Sequence, residues 1–111
     1  MILEIRTYLL RAGAMREYLD LYEAEGFPAQ RQILGGFVGS FVTEIGTLNQ
    51  ITHLWAFRDA DDRTTRRAKL AADPMWQAAV VRFIGCIVSQ ESKIVVPTSQ
   101  TKMLASFLPR D

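Results

Sequence analysis

The single histidine of the chain lies in an alternating segment that also carries large aromatic side chains. Together with Ile51, His53, Trp55 and Phe57 occupy every second position of residues 50–58, and such alternation is typical of a β-strand. An imidazole titrates near neutral pH, so His53 is a candidate general base or haem ligand. A structural histidine that is hydrogen-bonded in the interior is the alternative. No cysteine or acid stands near it at ligand spacing, which argues against a zinc site.

A second set of candidate groups alternates along residues 2–9. Arg6 is a candidate for binding a carboxylate substrate, Tyr8 for donating a hydrogen bond to it, and Glu4 for tuning a proton acceptor. The alternative is a Glu4–Arg6 ion pair that only stiffens an interface. The candidates for catalysis are therefore His53, Arg6 and Tyr8. The predicted substrate-binding set is Glu4, Arg6, Tyr8, His53, Trp55 and Phe57.

Composition limits the classes of protein to which the chain can belong. Its 111 residues suit one domain, and 49% hydrophobic with 23% charged residues is an ordinary globular balance. A net charge of +1 gives no reason to expect nucleic-acid binding, and no apolar run is long enough to span a membrane. The sequence has no secretory signal and only one cysteine, Cys86, so we expect a cytoplasmic protein.

No motif for a cofactor or a metal is present. The sequence contains no phosphate-binding glycine loop, GxGxxG, GxSxG, HExxH or paired CxxC. Cys86 lies in the apolar run IGCIV without a neighbouring base or cation, so we expect it to be packed in the interior. We therefore expect neither a bound cofactor nor a metal.

The elements that position these residues follow the order β-α-β-β-α-β. Strands are predicted at residues 2–9, 37–45, 50–58 and 88–96, with a turn at residues 46–49. A helix begins after Gly13 and should break or bend at residues 26–28. A second helical region begins near Asp59, restarts at Asp73 and ends at Gly85. Its basic residues, Arg63, Arg66, Arg67 and Lys69, are expected to form a solvated face.

This order predicts an α+β fold, the ferredoxin-like βαββαβ domain with an antiparallel four-stranded sheet. The domain is expected at residues 1–97, followed by an unassigned tail at residues 98–111. On the first strand, Leu3, Ile5 and Leu9 share one face, and Ile2, Glu4, Arg6 and Tyr8 share the other. On the third strand, Ile51, His53, Trp55 and Phe57 share a face.

A row of four large side chains exposed to water marks an interface. We therefore predict that a second copy covers this row, so that two sheets form a dimeric α/β barrel. The cavity would then lie between the two sheets and hold a small apolar or anionic ligand. The expected partner is a second copy in a homodimer, with a higher homo-oligomer left open.

Four stretches resemble one known family, NIPSNAP. They are LEIRTYLL, YLLRAGAMREYLDLYEAEG, GGFVGSFVTEIGTLNQITHLWAF and SQESKIVVP, and the similarity runs from Ile2 to about Pro97. The hairpin is the most specific part, with GxxxGxF, EIGxLNQ and HLWAF followed by Asp59 and Arg63. The resemblance implies the dimeric α/β barrel superfamily. It also implies vesicular-transport and mitochondrial-signalling roles in eukaryotic members. The mitochondrial roles are not expected here, because the chain shows no targeting extension.

Three functions follow as hypotheses. The first is a NIPSNAP-like protein of undefined activity that binds a small molecule or a protein partner in or near the barrel. The second is a cofactor-free enzyme of the monooxygenase or isomerase type, with His53 or a tyrosine handling a proton and Arg6 binding an anion. The third is a haem-binding protein that uses His53. The first is preferred because no base, orienting group and oxyanion donor occur together in the sequence.

Overall fold

The computed structural model describes residues 1–110 and has the predicted fold. Its elements are β1 (Ile2–Leu10), α1 (Met15–Leu21), a π-helical segment (Tyr22–Gly26), α2 (Phe27–Leu34), β2 (Phe37–Val42), β3 (Gln50–Phe57), α3 (Ala60–Ala72), α4 (Pro74–Phe83), a 3-10 turn (Ile84–Cys86), β4 (Ile87–Val95) and a 3-10 segment (Met103–Phe107). The strands form one antiparallel sheet in the order β2-β3-β1-β4. The predicted ferredoxin-like βαββαβ fold is thereby confirmed.

Both predicted starts of the second helical region are present as capped helix termini. The Asp59 carboxylate accepts a hydrogen bond from the backbone N–H of Asp62 at 2.7 Å. The Asp73 carboxylate accepts one from Trp76 N–H at 2.9 Å, and Pro74 follows at the first position of α4. Each cap contributes about 1 kcal/mol. They fix where α3 and α4 begin and thus which side chains these helices present to the sheet.

The first helical region bends at the predicted place but does not break. The π-helical segment joins α1 to α2, and the chain stays helical through Pro28 because proline is tolerated near the start of a new α-helical segment. Gly26 lies at the bend against α4, where a Cβ would come within 3.0 Å of the Phe83 ring. A glycine here lets the two helical layers approach closely.

The row of large side chains on β3 is buried by the chain's own helices. Trp55 and Phe57 are 0% exposed in a single copy, and Trp55 packs against Phe37 and Phe27 with ring centroids 5.1 and 6.4 Å apart. The prediction that a second copy covers this row is therefore wrong. Alternation separates the two faces of a strand, but it does not say which face the helices cover. The aromatic side chains of α2 and β2 decide that here.

The opposite face of the sheet carries the remaining apolar residues of the two central strands. Leu3, Ile5 and Leu9 on β1 and Leu54 on β3 are half-buried. Phe41, at the matching register of the edge strand β2, is 60% exposed. This face, which we call the outer sheet face, is defined by Leu3, Ile5, Leu9, Phe41 and Leu54. The α-helices within residues 1–110 pack on the other side of the sheet.

The C-terminal segment packs onto the domain. Leu104 is 3% exposed, and the Arg58 guanidinium donates a hydrogen bond to the carbonyl of Pro109. The boundary after residue 97 stays a prediction. Among residues 1–110, no helix combines the length and the apolar character needed to cross a bilayer.

Candidate functional site

A cavity of about 160 Å³ lies between the sheet and the helices of the same chain. One side is polar and is lined by Arg6, Tyr8 and His53 from the sheet and by Tyr18 and Arg67 from the helices. The other side is apolar and belongs mainly to α4 and the start of β4: Trp76, Val80, Phe83, Ile84 and Ile87. An apolar pocket with a few convergent polar groups is the usual form of a small-molecule site.

Three of the predicted site residues meet in this cavity. Arg6 and His53 are opposite each other in the β1–β3 register, and Tyr8 is the next residue on the same face of β1. The predicted location between two sheets is wrong, because this face is covered by helices of the same chain. Trp55 and Phe57 do not line the cavity but pack in the neighbouring core with Leu34 and Leu70.

His53 is held by a hydrogen bond at each ring nitrogen. Its Nε2 lies 2.8 Å from the Tyr18 hydroxyl, and its Nδ1 lies 2.7 Å from the Ser40 hydroxyl. A neutral imidazole donates through one nitrogen and accepts through the other, so either tautomer satisfies both contacts. Burial, with the nearby Arg6 charge, lowers the pKa of His53 to about 4. His53 is therefore neutral at physiological pH and links Ser40 to Tyr18.

Two tyrosines of the first helical region form one wall of the cavity. The Tyr18 and Tyr22 rings stack with centroids 5.6 Å apart, as their four-residue spacing allows. The Tyr22 hydroxyl donates a hydrogen bond to the Gln30 amide oxygen. Burial raises the pKa of both tyrosines, so each remains a protonated hydrogen-bond donor. This pair therefore combines ring packing with polar contacts in the structure.

Glu4 supports the cavity without lining it. Its carboxylate is 0% exposed and accepts hydrogen bonds from Arg6 at 2.8 Å, from Arg63 at 2.9 and 3.0 Å, and from Ser92 at 2.7 Å. Burial opposes ionisation, but these donors together lower the pKa of Glu4 to about 2. The Glu4–Arg6 pair predicted from the spacing is present, and Arg63 makes it a three-membered cluster. Arg6 also donates from Nε to the Tyr8 hydroxyl at 2.9 Å.

Of the four basic residues of α3, Lys69 is exposed as expected, but the three arginines do not form a solvated face. Arg63 reaches Glu4 on the sheet, and Arg66 is 8% exposed and pairs with Asp62 at 2.8 Å. Arg67 lines the cavity, and its Nη1 is buried without a hydrogen-bond partner. The buried Leu70 is the signal that could have shown this, since residues 63, 66, 67 and 70 share one helix face.

A second, apolar cavity of about 270 Å³ lies on the other side of His53. Phe27, Phe37 and Ile51 line it, and Tyr22 and His53 separate it from the first cavity. Ser40 lies on this second side, whereas Tyr18 lies on the first. The hydrogen-bonded chain from Ser40 through His53 to Tyr18 therefore connects the two cavities.

The haem hypothesis does not fit this geometry. Both nitrogens of His53 are engaged by hydroxyl groups, and the ring is 2% exposed, so axial ligation would break a buried hydrogen bond. The part of the chain that the structure describes also contains no group of three His, Cys, Asp or Glu side chains placed to hold a metal ion. Cys86 is buried as expected, with its thiol 3.1 Å from Glu17.

Comparison with known proteins agrees with the resemblance seen in the sequence. A sequence model of the NIPSNAP family matches residues 3–102. The chain is 33% identical over 94 residues to the Protein NipSnap homolog of Dictyostelium discoideum and 35% identical over 96 residues to Protein NipSnap homolog 2 of Homo sapiens. These alignments cover 85% and 86% of this chain but only 41% and 33% of the relatives' own lengths.

Solved structures show the same similarity in three dimensions. A NIPSNAP family protein from Agrobacterium tumefaciens is 46% identical with a TM-score of 0.88, and the match covers 90% of this chain and 95% of that one. An antibiotic biosynthesis monooxygenase matches with a TM-score of 0.64 at 11% identity, over 88% of this chain and 99% of the other. The latter similarity concerns the fold alone.

Proposed function

We propose that this chain, which belongs to the NIPSNAP family, is a homodimeric small-molecule-binding protein. The homodimer is proposed because the resemblance to this family implies a dimeric barrel. Its binding site is the cavity between the helices and the sheet of each copy, lined by Arg6, Tyr8 and His53. One observation carries the proposal: a space between the sheet and the helices of a small domain is lined by charged and hydroxyl-bearing side chains. Such groups reduce stability when buried, so their presence in a cavity points to a ligand.

The cavity has a volume that suits a small ligand, and its polar and apolar side chains lie on separate sides. Its volume of about 160 Å³ is close to that of cavities of about 150 Å³ that accept a single aromatic ring. The polar side offers Tyr8, Tyr18 and two guanidinium groups, and the apolar side offers Val80 and Phe83. A ligand bound here would be oriented by its polar end.

The outer sheet face supports assembly with a second copy. Its central residues Leu3, Ile5 and Leu54 are apolar and are not fully buried within one chain. An apolar face of this kind on a sheet usually marks an interface. The dimeric barrel that the resemblance to the NIPSNAP family implies favours a second copy as the partner. The two sheets would pack with these faces together, leaving a separate ligand cavity in each copy.

A second candidate function is a cofactor-free enzyme that uses the same cavity. The observation that favours it is the chain of hydrogen bonds from Ser40 through His53 to Tyr18. Tyr18 stays protonated and would donate a hydrogen bond to an oxyanion, as Arg6 would by its charge. His53 stays neutral above its lowered pKa and would orient the Tyr18 hydroxyl.

The proposal can be tested with two adjacent valines on α4. Val80 lines the cavity, whereas Val81 is 73% exposed on the outside of the same helix. We expect a library of ring-sized molecules to shift the NMR signals of cavity residues in the wild type and in Val81→Phe. Val80→Phe should fill the cavity and abolish these shifts. Shifts that map outside the cavity, or that persist in Val80→Phe, would contradict the proposal.

A further inference from the structure

Arg67 has a buried donor without a hydrogen-bond partner in the wall of the cavity. Its Nη1 is buried and makes no hydrogen bond, although the side chain lines a space that is large enough for a ligand. Buried guanidinium groups are normally paired because a buried donor without a partner is costly. Burial and the neighbouring Arg6 charge lower the pKa of Arg67 from its ordinary value, because both disfavour the charged form of the guanidinium.

The charges around the cavity do not balance. Arg6 and Arg63 share the Glu4 carboxylate, and Arg67 adds a third guanidinium on the same side. The charges of Arg6 and Arg63 repel the Arg67 guanidinium, and the Glu4 carboxylate attracts it. A set of three cations with one carboxylate carries an excess positive charge, and a negative group in the cavity beside Arg67 would offset it.

The apolar side of the cavity favours a ligand that has a hydrocarbon part. Val80, Phe83 and Ile84 face the polar side across a space about as large as one ring. A hydrated inorganic anion would leave these side chains without an apolar partner, whereas an apolar carboxylate would contact both sides. The fork of donors on a guanidinium also fits the two oxygens of a carboxylate.

We propose that the cavity binds a small apolar carboxylate, with its carboxylate on Arg67 and Arg6 and its hydrocarbon part against α4. The Tyr8 and Tyr18 hydroxyls lie on the polar side with the two guanidinium groups. This inference rests on the proposed function and names the chemical class of its ligand. It also assigns Arg67 as the residue that distinguishes an anion from a neutral molecule of the same shape.

The experiment compares carboxylates with their neutral amides. Benzoate and hexanoate are titrated against benzamide and hexanamide, with inorganic phosphate as the bare anion, and binding is followed by NMR shifts of cavity residues. We expect each carboxylate to bind about tenfold or more tightly than its amide and than phosphate. Arg67→Met should remove that preference without weakening amide binding. Arg67→Lys should retain only part of it because lysine lacks the fork. The exposed Arg16, changed to Met, is the control and should have no effect.

A second readout separates a ligand-binding role of Arg67 from a structural one. In the absence of ligand, Arg67→Met should raise the thermal midpoint, because it removes an unpaired donor and a repulsive charge. A lowered midpoint would show that Arg67 stabilises the fold and would overturn the inference.

The outcomes of the titration separate the two levels of the proposal. If amides bind in the cavity as well as carboxylates do, or phosphate binds as tightly, the inference fails while the proposed function stands. If no probe shifts any cavity signal, the proposed function fails and the inference fails with it. Carboxylate binding that Arg67→Met leaves unchanged would overturn the role of Arg67.

Discussion

Replacing Glu4 by glutamine tests the charge cluster that supports the cavity. The Glu4 carboxylate is 0% exposed and accepts hydrogen bonds from Arg6, Arg63 and Ser92. Glutamine keeps the size of the side chain but removes its negative charge and replaces one oxygen by a donor. The two guanidinium groups then lack their counter-ion in a buried setting. We therefore expect Glu4→Gln to lower the stability of the fold strongly.

The magnitude follows from the pKa of Glu4. Its pKa falls from an ordinary value of 4.5 to about 2 in the folded chain. This difference corresponds to about 3 kcal/mol in the free energy of unfolding at neutral pH. A carboxyl group whose pKa is lowered by folding stabilises the folded chain when it is ionised. The contribution of Glu4 is therefore present above pH 4.5 and is lost as the pH falls towards 2. Glu4→Gln should therefore cost about 3 kcal/mol at pH 7, and the difference from wild type should shrink towards pH 2.

Urea unfolding followed by tryptophan fluorescence measures this difference at a fixed protein concentration, because a dimer unfolds in a concentration-dependent way. Glu44→Gln is the matched control, since Glu44 is exposed in the loop between β2 and β3. We expect the control to remain within about 0.5 kcal/mol of wild type. A Glu4→Gln protein as stable as the control at pH 7, or a difference that does not depend on pH, would refute the reasoning.

Three further predictions concern the two faces of β3. The pKa of His53 falls from 6.5 to about 4 on folding, so its contribution to stability is present above pH 6.5 and is lost as the pH falls towards 4. In His53→Gln, the free energy of unfolding measured with urea should depend less on pH in this range. An unchanged pH dependence would contradict a neutral, buried imidazole. Trp55→Ala should lower the free energy of unfolding by about 3–5 kcal/mol, and the folded fraction should sediment as the wild type does. Dissociation of the subunits without a loss of stability would instead place Trp55 at an interface. Leu54→Lys should give a folded monomer in size-exclusion chromatography with unchanged circular dichroism, and a dimer of wild-type strength would exclude the outer sheet face as the interface.

The sequence predicts the order of the elements well because local signals decide it. Alternation marks the strands. Asp59, in an acid-rich stretch, and Asp73, directly before Pro74, cap their helices. The choice of which sheet face the helices cover is not local. It depends on Phe27 and Phe37, which come from different elements and meet Trp55 only in the folded chain. For this reason alternation alone predicts the wrong neighbour for the aromatic row of β3.

The sequence predicts only the part of the candidate site that lies on strands, because strand alternation is a local signal. Arg6, Tyr8 and His53 alternate on strands, so their common face follows from the strand period. Tyr18 and Arg67 come from helices whose rotation about their axes is set by distant packing. The basic composition of α3 suggested a solvated face, although the buried Leu70 on the same side indicates the opposite. Long arginine side chains cross from such a helix to the sheet, and composition alone does not show this.

The stoichiometry of ligand binding tests the account most directly. A cavity inside each chain predicts one ligand per chain, and thus two per dimer, when benzoate binding is measured by isothermal titration calorimetry. It also predicts that monomeric Leu54→Lys binds benzoate with the affinity of the wild type. One ligand per two chains, or loss of binding when the dimer dissociates, would place the site between subunits and contradict the account.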